Sequence, residues 1–222
     1  MNFKKFFIHN WPAIFYLNFK LLPIKQAVKF PIDIYGRIKI PHLSGKLLLV
    51  SDRVFAGMIK IGSQGSDMFP HVSTVISIEG TVIVGGSLTI GVGSSIISKS
   101  CSTLTFSHNT ILGARNIIYC KNNIFIGRGF LTSWDCQIMD TDTHAVIDIL
   151  TNCPNSSALA VKTGEHIWVG NGVTINKGTI LPSNTIVASR SLCNKDYSDI
   201  GENCILAGSP AKVVSRNKRW KL

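Results

Sequence analysis

An aliphatic residue returns every sixth position through much of this chain. Ile78, Val84, Ile90 and Ile96 share one register, and Ile126 and Ile138 continue it. A second column, four positions later in the unit, reads Phe106, Leu112, Ile118, Ile124 and Phe130. The pattern resumes at Val169, Ile175, Leu181 and Val187, with Val173, Thr179, Thr185 and Ser191 as companions. A period of six suits neither an α-helix, with 3.6 residues per turn, nor an alternating strand, with two. It suits a parallel β-helix, in which each unit is a short strand plus a turn and three units close a triangular coil of about 18 residues. The aliphatic column points inward and stacks on the coil below. Gly85, Gly91, Gly127 and Gly170 follow it directly, at corners where a side chain would collide with the next coil.

The register fails in three places. Between residues 98 and 123 the inward positions fall on Ser102, His108 and Ala114. Either the corners are distorted there or the second column fills the core, and His108 reads as a core histidine. Residues 1–45 lie outside the repeat. Their opening, "MNFKKFFIHNWPAIFYLNFKLLPIK", is basic and aromatic, but Asn10, Pro12, Asn18 and Lys20 break the apolar run and no small-residue cleavage site follows. This is neither a bilayer-spanning helix nor a signal peptide. It is expected to pack over one end of the domain, with weak contact to an anionic membrane surface as its other role. Residues 141–166, "TDTHAVIDILTNCPNSSALAVKTGEH", fit no register and read as a loop thrown out from one coil, a common seat of function. The expected plan is all-β: an N-terminal segment (1–45), a β-helix (46–208) bearing the loop 141–166, and a basic tail (209–222).

Lys and Arg number 23 against 12 Asp and Glu, a formal charge of +11. Such a surplus calls for an anionic partner. Apart from "SRNKRWKL" (215–222) the basic residues are scattered, and no nucleic-acid module is visible, so a phosphorylated small molecule fits better than nucleic acid. Cys101, Cys120, Cys136, Cys153, Cys193 and Cys204 form no CxxC pair and read as buried reduced thiols of a cytoplasmic protein. The histidines His9, His42, His71, His108, His144 and His166 are each more than ten residues from the next, so neither a γ-class carbonic anhydrase site nor any other metal site is expected.

Within "IMDTDTHAV", Asp140, Asp142 and His144 alternate. An extended backbone would turn all three to one side. A neutral imidazole can then accept a proton while either aspartate orients the ring. The alternative is two turn-capping aspartates and an exposed histidine.

The segment "HIWVGNGVTINKGTILPSNTIVASRSLCNKD…ILAGSPAKVV" (166–214) resembles the hexapeptide-repeat acyltransferases. It is most similar to the sugar O-acetyltransferases, such as the galactoside and maltose acetyltransferases and the enzymes of capsule and lipopolysaccharide clusters. The resemblance runs from about residue 55 to 215. It implies a left-handed coil, a homotrimer, acetyl-CoA in a groove between subunits, and a histidine at the root of the protruding loop as general base; His144 matches that position. It also implies that Trp168, Asn171 and Ser189 line the groove, that Asn194 and Lys195 approach the CoA phosphates, and that Pro210, Lys212 and Arg216 lie toward the adenine end. Ala188-Ser189-Arg190 replaces the family's Gly-Ala-Gly, and Trp168 is equally readable as core. Trp134 and His166, flanking the loop, are candidates for acceptor contact. The resemblance therefore implies O-acetylation of a sugar or polysaccharide; the expected location is the cytoplasm, with the inner face of the cell membrane as the alternative that the basic N-terminal segment offers. N-acetylation of an amino sugar is the alternative within the family, and a polymer-binding scaffold the alternative outside it.

Overall fold

The computed structural model describes residues 9–63, 68–69 and 72–221. His71 and the first eight residues lie outside them. Successive strands pair in parallel with strands one coil away, building three sheets. The first face runs from Ile32–Ile34 to Cys204–Gly208, the second from Ile38–Lys39 to Leu192–Cys193, and the third from Lys46–Leu49 to Ile180–Leu181. The chain visits the three faces in turn, as the sixfold period requires. Corner 1 joins the first face to the second, corner 2 the second to the third, and corner 3 returns to the first.

The expected coil length holds near the C-terminus. Trp168 sits beside Ile186 and Thr174 beside Leu192, each 18 positions on. In the middle the coils are longer: Ser95 sits beside Ile117 and Ile117 beside Gln137, 22 and 20 positions on. The additional residues lengthen strands and corners. Thr103–Phe106 and Asn123–Ile126 each turn two side chains inward by simple alternation, burying Leu104, Phe106, Ile124 and Ile126. This period of two on a longer coil is what blurs the hexads between 98 and 123. The second column does fill the core, whereas His108 is exposed at corner 3 rather than buried. Ser102 is buried and hydrogen-bonds Ser98 at 2.9 Å.

Corner glycines permit the close stacking. A Cβ on Gly127 would stand 2.1 Å from the carbonyl oxygen of Gly164 in the next coil. Corners also carry columns of left-handed residues. At corner 3 these are Asn109, Gly129, His166, Asn184 and Asn203, all with φ between 57° and 70°. Asn and His are among the few side chains enriched there.

The β-helix begins earlier than residue 46. Ile32 pairs with Ile59 and Ile38 with Thr74, 27 and 36 positions on. Coils this irregular leave no hexad signature. Below them the helix α1 (Trp11–Leu21) closes the stack, starting where the Asn10 side chain accepts from the Ala13 N–H and Pro12 occupies the first turn. Ile14 and Leu17 enter the coil core. The buried Asn18 amide donates to Ile14 and Ile32 carbonyls at 2.8 Å and accepts from the Ile32 N–H at 3.0 Å. It thereby pairs the edge of the first face, which would otherwise present open backbone groups. A short helix, α2 (Ile24–Ala27), follows. At the other end, Ala211–Arg216 folds back antiparallel on Cys204–Gly208.

The thiols divide, against the expectation that all six are buried: Cys101 and Cys153 are exposed. Burial pushes Cys193 up to about 12 and Cys136 to about 11. Burial, reinforced by the Asp140 carboxylate, pushes Cys120 to about 12. Since the thiolate is the reactive form, a thiol-disulfide dye at neutral pH should label Cys101 and Cys153 quickly and the other four only after denaturation. Rapid labelling of Cys120, Cys136 or Cys193 in the native protein would contradict the core described here.

Candidate active site

The excursion of interest leaves corner 2 between Gln137–Met139 on the second face and Val161–Thr163 on the third. Ile124 pairs with Val161, 37 positions on, about one whole coil more than its neighbours take. The coil is regained at Val161, so the loop ends before residue 166. Its two arms meet at a Thr141–Ala158 bridge and through the Asp142 N–H, which donates to the Ser157 carbonyl at 2.9 Å.

Three side chains pin its root. Asp140 is fully buried, and its carboxylate accepts from the backbone N–H groups of Lys121 at 2.8 Å and Asn122 at 2.7 Å, in the corner one coil below. Lys177, at the same corner one coil above, pairs with Asp142 at 2.5 Å and donates to the Ser156 carbonyl at 2.6 Å, so it grips both arms. His144 lies just beyond, exposed; its backbone N–H donates to the Asp142 carbonyl at 2.8 Å, and its ring makes no hydrogen bond among the described residues.

The same-face alternation of Asp140, Asp142 and His144 is not realised. Thr143 adopts φ 65°, which turns the chain between the second aspartate and the histidine. Neither carboxylate orients the imidazole within this chain: Asp140 holds a corner and Asp142 holds Lys177. Further out, the Thr151 and Leu150 N–H groups keep Asp148 below the usual carboxylate range, while Ile149 and Leu150 at the tip are almost wholly exposed.

The remaining candidates fall on separate edges of the prism. Trp134, Asn171, Ser189 and Arg190 lie along corner 1, where Trp134 is half-exposed and Arg190 is left-handed at φ 58°. Asn194 and Lys195 lie at corner 2 above Lys177, with the Lys195 ammonium 5.3 Å from the Tyr197 ring centre. Pro210 and Lys212 are exposed beside the terminal hairpin. Arg216 is committed structurally, donating to the Ile200 carbonyl at 2.5 Å and to Cys204 Sγ at 3.5 Å.

His166 belongs to corner 3, separated from His144 by the third face, and so does not lie across the loop from it. It fills a left-handed turn position and stacks on Trp220 at 4.4 Å and 6°. Its Nε2 lies 3.2 Å from the Trp220 carbonyl oxygen, and Trp220 Nε1 donates to the His166 carbonyl at 3.1 Å. Trp168 projects outward on the first face, 6.4 Å from Trp220, so it is not core. His166 and Trp220 wall a cleft of about 570 Å³ that Ile111, Leu131, Asn109 and Arg219 also line. Sequence reasoning missed Lys177 and Trp220: the first sits in an ordinary corner tripeptide, the second in a tail that reads as solvated. Among the described residues no group of three or more His, Cys, Asp or Glu side chains could hold a metal ion.

No protein-family model matches the sequence. The chain is 26% identical over 126 residues to the polysialic acid O-acetyltransferase of Escherichia coli O1:K1 / APEC, a match covering 56% of this chain and 40% of that protein's length. It is 27% identical over 153 residues to WbbJ of Escherichia coli K12, a protein named for O-acetyl transfer in lipopolysaccharide biosynthesis, covering 65% of this chain and 76% of that one. Among solved structures the fold is similar to that of the polysialic acid O-acetyltransferase OatWY, with a TM-score of 0.57 and 21% identity over 84% of this chain and 92% of that one. The coil is thus a left-handed parallel β-helix.

Asp140 and Lys177 should behave differently as pins. Asp140→Asn places an amide N–H against one of two buried backbone donors, so stability should fall by about 1–3 kcal/mol. Lys177→Met removes only a partly exposed ion pair and a surface hydrogen bond, and should cost about 1 kcal/mol or less. Urea midpoints that rank the two in the opposite order would reassign the anchor of the loop.

Proposed function

We infer the activity from one premise: this chain has the coil, the corner loop and the C-terminal landmarks of the hexapeptide-repeat acyltransferases. We propose that it moves the acetyl group of acetyl-CoA onto a hydroxyl of a sugar or surface polysaccharide, with His144 as general base. The observation that carries this reading is the placement of His144: an exposed imidazole with no partner for its ring in the described chain, on a loop whose root is held from below by Asp140 and from above by Lys177. The two relatives named for polysialic acid and lipopolysaccharide support a glycan acceptor.

A sugar hydroxyl is a poor nucleophile at neutral pH. Removing its proton during attack on the thioester carbonyl contributes roughly 10²–10⁴-fold. In the proposed cycle His144 takes that proton as the oxygen attacks. The tetrahedral intermediate then expels CoA, and the imidazolium returns the proton to the departing sulfur. Backbone N–H groups at a corner are the donors available to the oxyanion. Trp168, Asn171, Ser189, Asn194, Lys195, Pro210 and Lys212 form the proposed path for CoA, whose phosphates suit a chain of formal charge +11.

These residues occupy corner 1, corner 2 and the first face with its terminal hairpin, so a single copy does not gather them. A homotrimer packed around an axis parallel to the coils lays corner 2 of one copy against another edge of its neighbour and completes the groove. Light scattering should report a trimer; a fully active monomer at micromolar concentration would defeat this assembly.

The decisive measurement is transfer from labelled acetyl-CoA to polysialic acid and lipopolysaccharide glycans, with mass spectrometry locating the acetyl group on oxygen or nitrogen. His144→Ala should bind acetyl-CoA with near-normal affinity and transfer roughly 10²–10⁴-fold more slowly. In the wild type kcat/KM should rise with pH, because only neutral imidazole accepts a proton, and that dependence should vanish in the variant. Lys177→Met should lower kcat while leaving the KM for acetyl-CoA near normal, and Lys177→Arg should restore most of the loss. Retention of more than about a tenth of wild-type transfer by His144→Ala, outside the general-base range, would place the base elsewhere.

A further inference from the structure

We propose that the outward face of helix α1, continued by α2, docks on the surface of an anionic lipid bilayer. Two independent observations lead there.

The first is the apolar character of α1 on both sides. Its inner face, Ile14, Leu17 and Asn18, is buried against the coil. At 3.6 residues per turn, Phe15, Tyr16 and Phe19 fall on the opposite side. They are 51%, 52% and 47% exposed, and Ile24 and Val28 just beyond are 71% and 56% exposed. A helix that merely caps a domain presents a polar outer face. Here the outer face is aromatic and preorganised: Phe30 meets the rings of Phe15 and Phe19 edge-on at 5.1 and 5.9 Å.

The second is charge. Lys20, Lys25 and Lys29 are exposed around this patch, and no acidic residue precedes Asp33 in the sequence. Aromatic side chains favour the headgroup level of a bilayer, and lysines beside them are drawn to anionic lipid. A second copy of the chain is the poorer occupant, because pairing this face with itself would bring like charges together. The contact is interfacial: among the described residues no helix is long and apolar enough to cross a membrane, and the inner face of α1 is already held by the coil. In the trimer proposed above, parallel coil axes would aim three such patches the same way, but the surface itself does not depend on acyl transfer.

Flotation of the purified full chain with vesicles tests this. The wild type should float with phosphatidylcholine vesicles containing phosphatidylglycerol, much less with phosphatidylcholine alone, and less in high salt, where surface attraction is screened. Phe15→Ser/Phe19→Ser should weaken binding by about tenfold or more through lost apolar insertion, and Lys20→Glu/Lys25→Glu should abolish the preference for anionic lipid. Circular dichroism melting of both variants confirms that they remain folded; should the phenylalanine pair fail to fold, the lysine pair decides. The proposal is overturned if the wild type floats with neither vesicle or equally with both. It is overturned also if the folded variants float like the wild type, or if wild-type assemblies larger than those of Phe15→Ser/Phe19→Ser show the patch buried against another copy.

Discussion

Every coil of this protein must align with the coil beneath it, because the backbone hydrogen bonds that hold a strand belong to its neighbours above and below. Trp168 depends on Leu131 and Ile186, and Thr174 on Gln137 and Leu192. Within a face an added residue must be matched by the strands above and below, as in the longer middle coils. The stack tolerates insertions at corners, where the chain already turns and only small residues such as Gly127 allow the next turn to approach. Departures from the repeat therefore collect at corners, and most of the candidate residues stand at one.

That constraint explains the division of roles at corner 2. Asp140 is buried and satisfies two backbone donors that would otherwise be unpaired, so it serves the stack. Lys177 and Asp142 are partly exposed, where an ion pair adds little stability but can still fix a geometry. His144, next along, donates its backbone N–H to the Asp142 carbonyl, and its ring has no hydrogen-bond partner among the described residues. Corner 3 shows the converse: His166 fills a left-handed slot that asparagine occupies in other coils, and its ring is taken by Trp220.

Much of this was readable in the sequence, because a stack repeats its inward positions. Ile78, Val84, Ile90, Ile96 and the later columns are buried as the period demands. Where local geometry departed from the repeat, the sequence misled. The first coils take 27 and 36 positions between partners and so carry no hexads. The alternation of Asp140, Asp142 and His144 assumed an extended backbone, which the left-handed Thr143 breaks. His166 closes the segment 141–166 in sequence yet stands at another corner, because a single dimension cannot show that a sheet face separates successive corners. Trp220 meets His166 across 54 positions, beyond any local pattern.

The Thr141–Ala158 bridge gives the loop a modular character. Its two arms are joined at the base before the chain wanders, so the coil meets only a closed pair of ends whatever lies between them. The segment beyond that clasp can change in length and composition while the coil keeps its register. A scaffold arranged in this way can acquire new specificity by exchanging one cassette at one corner, leaving the stacked interior to be inherited intact.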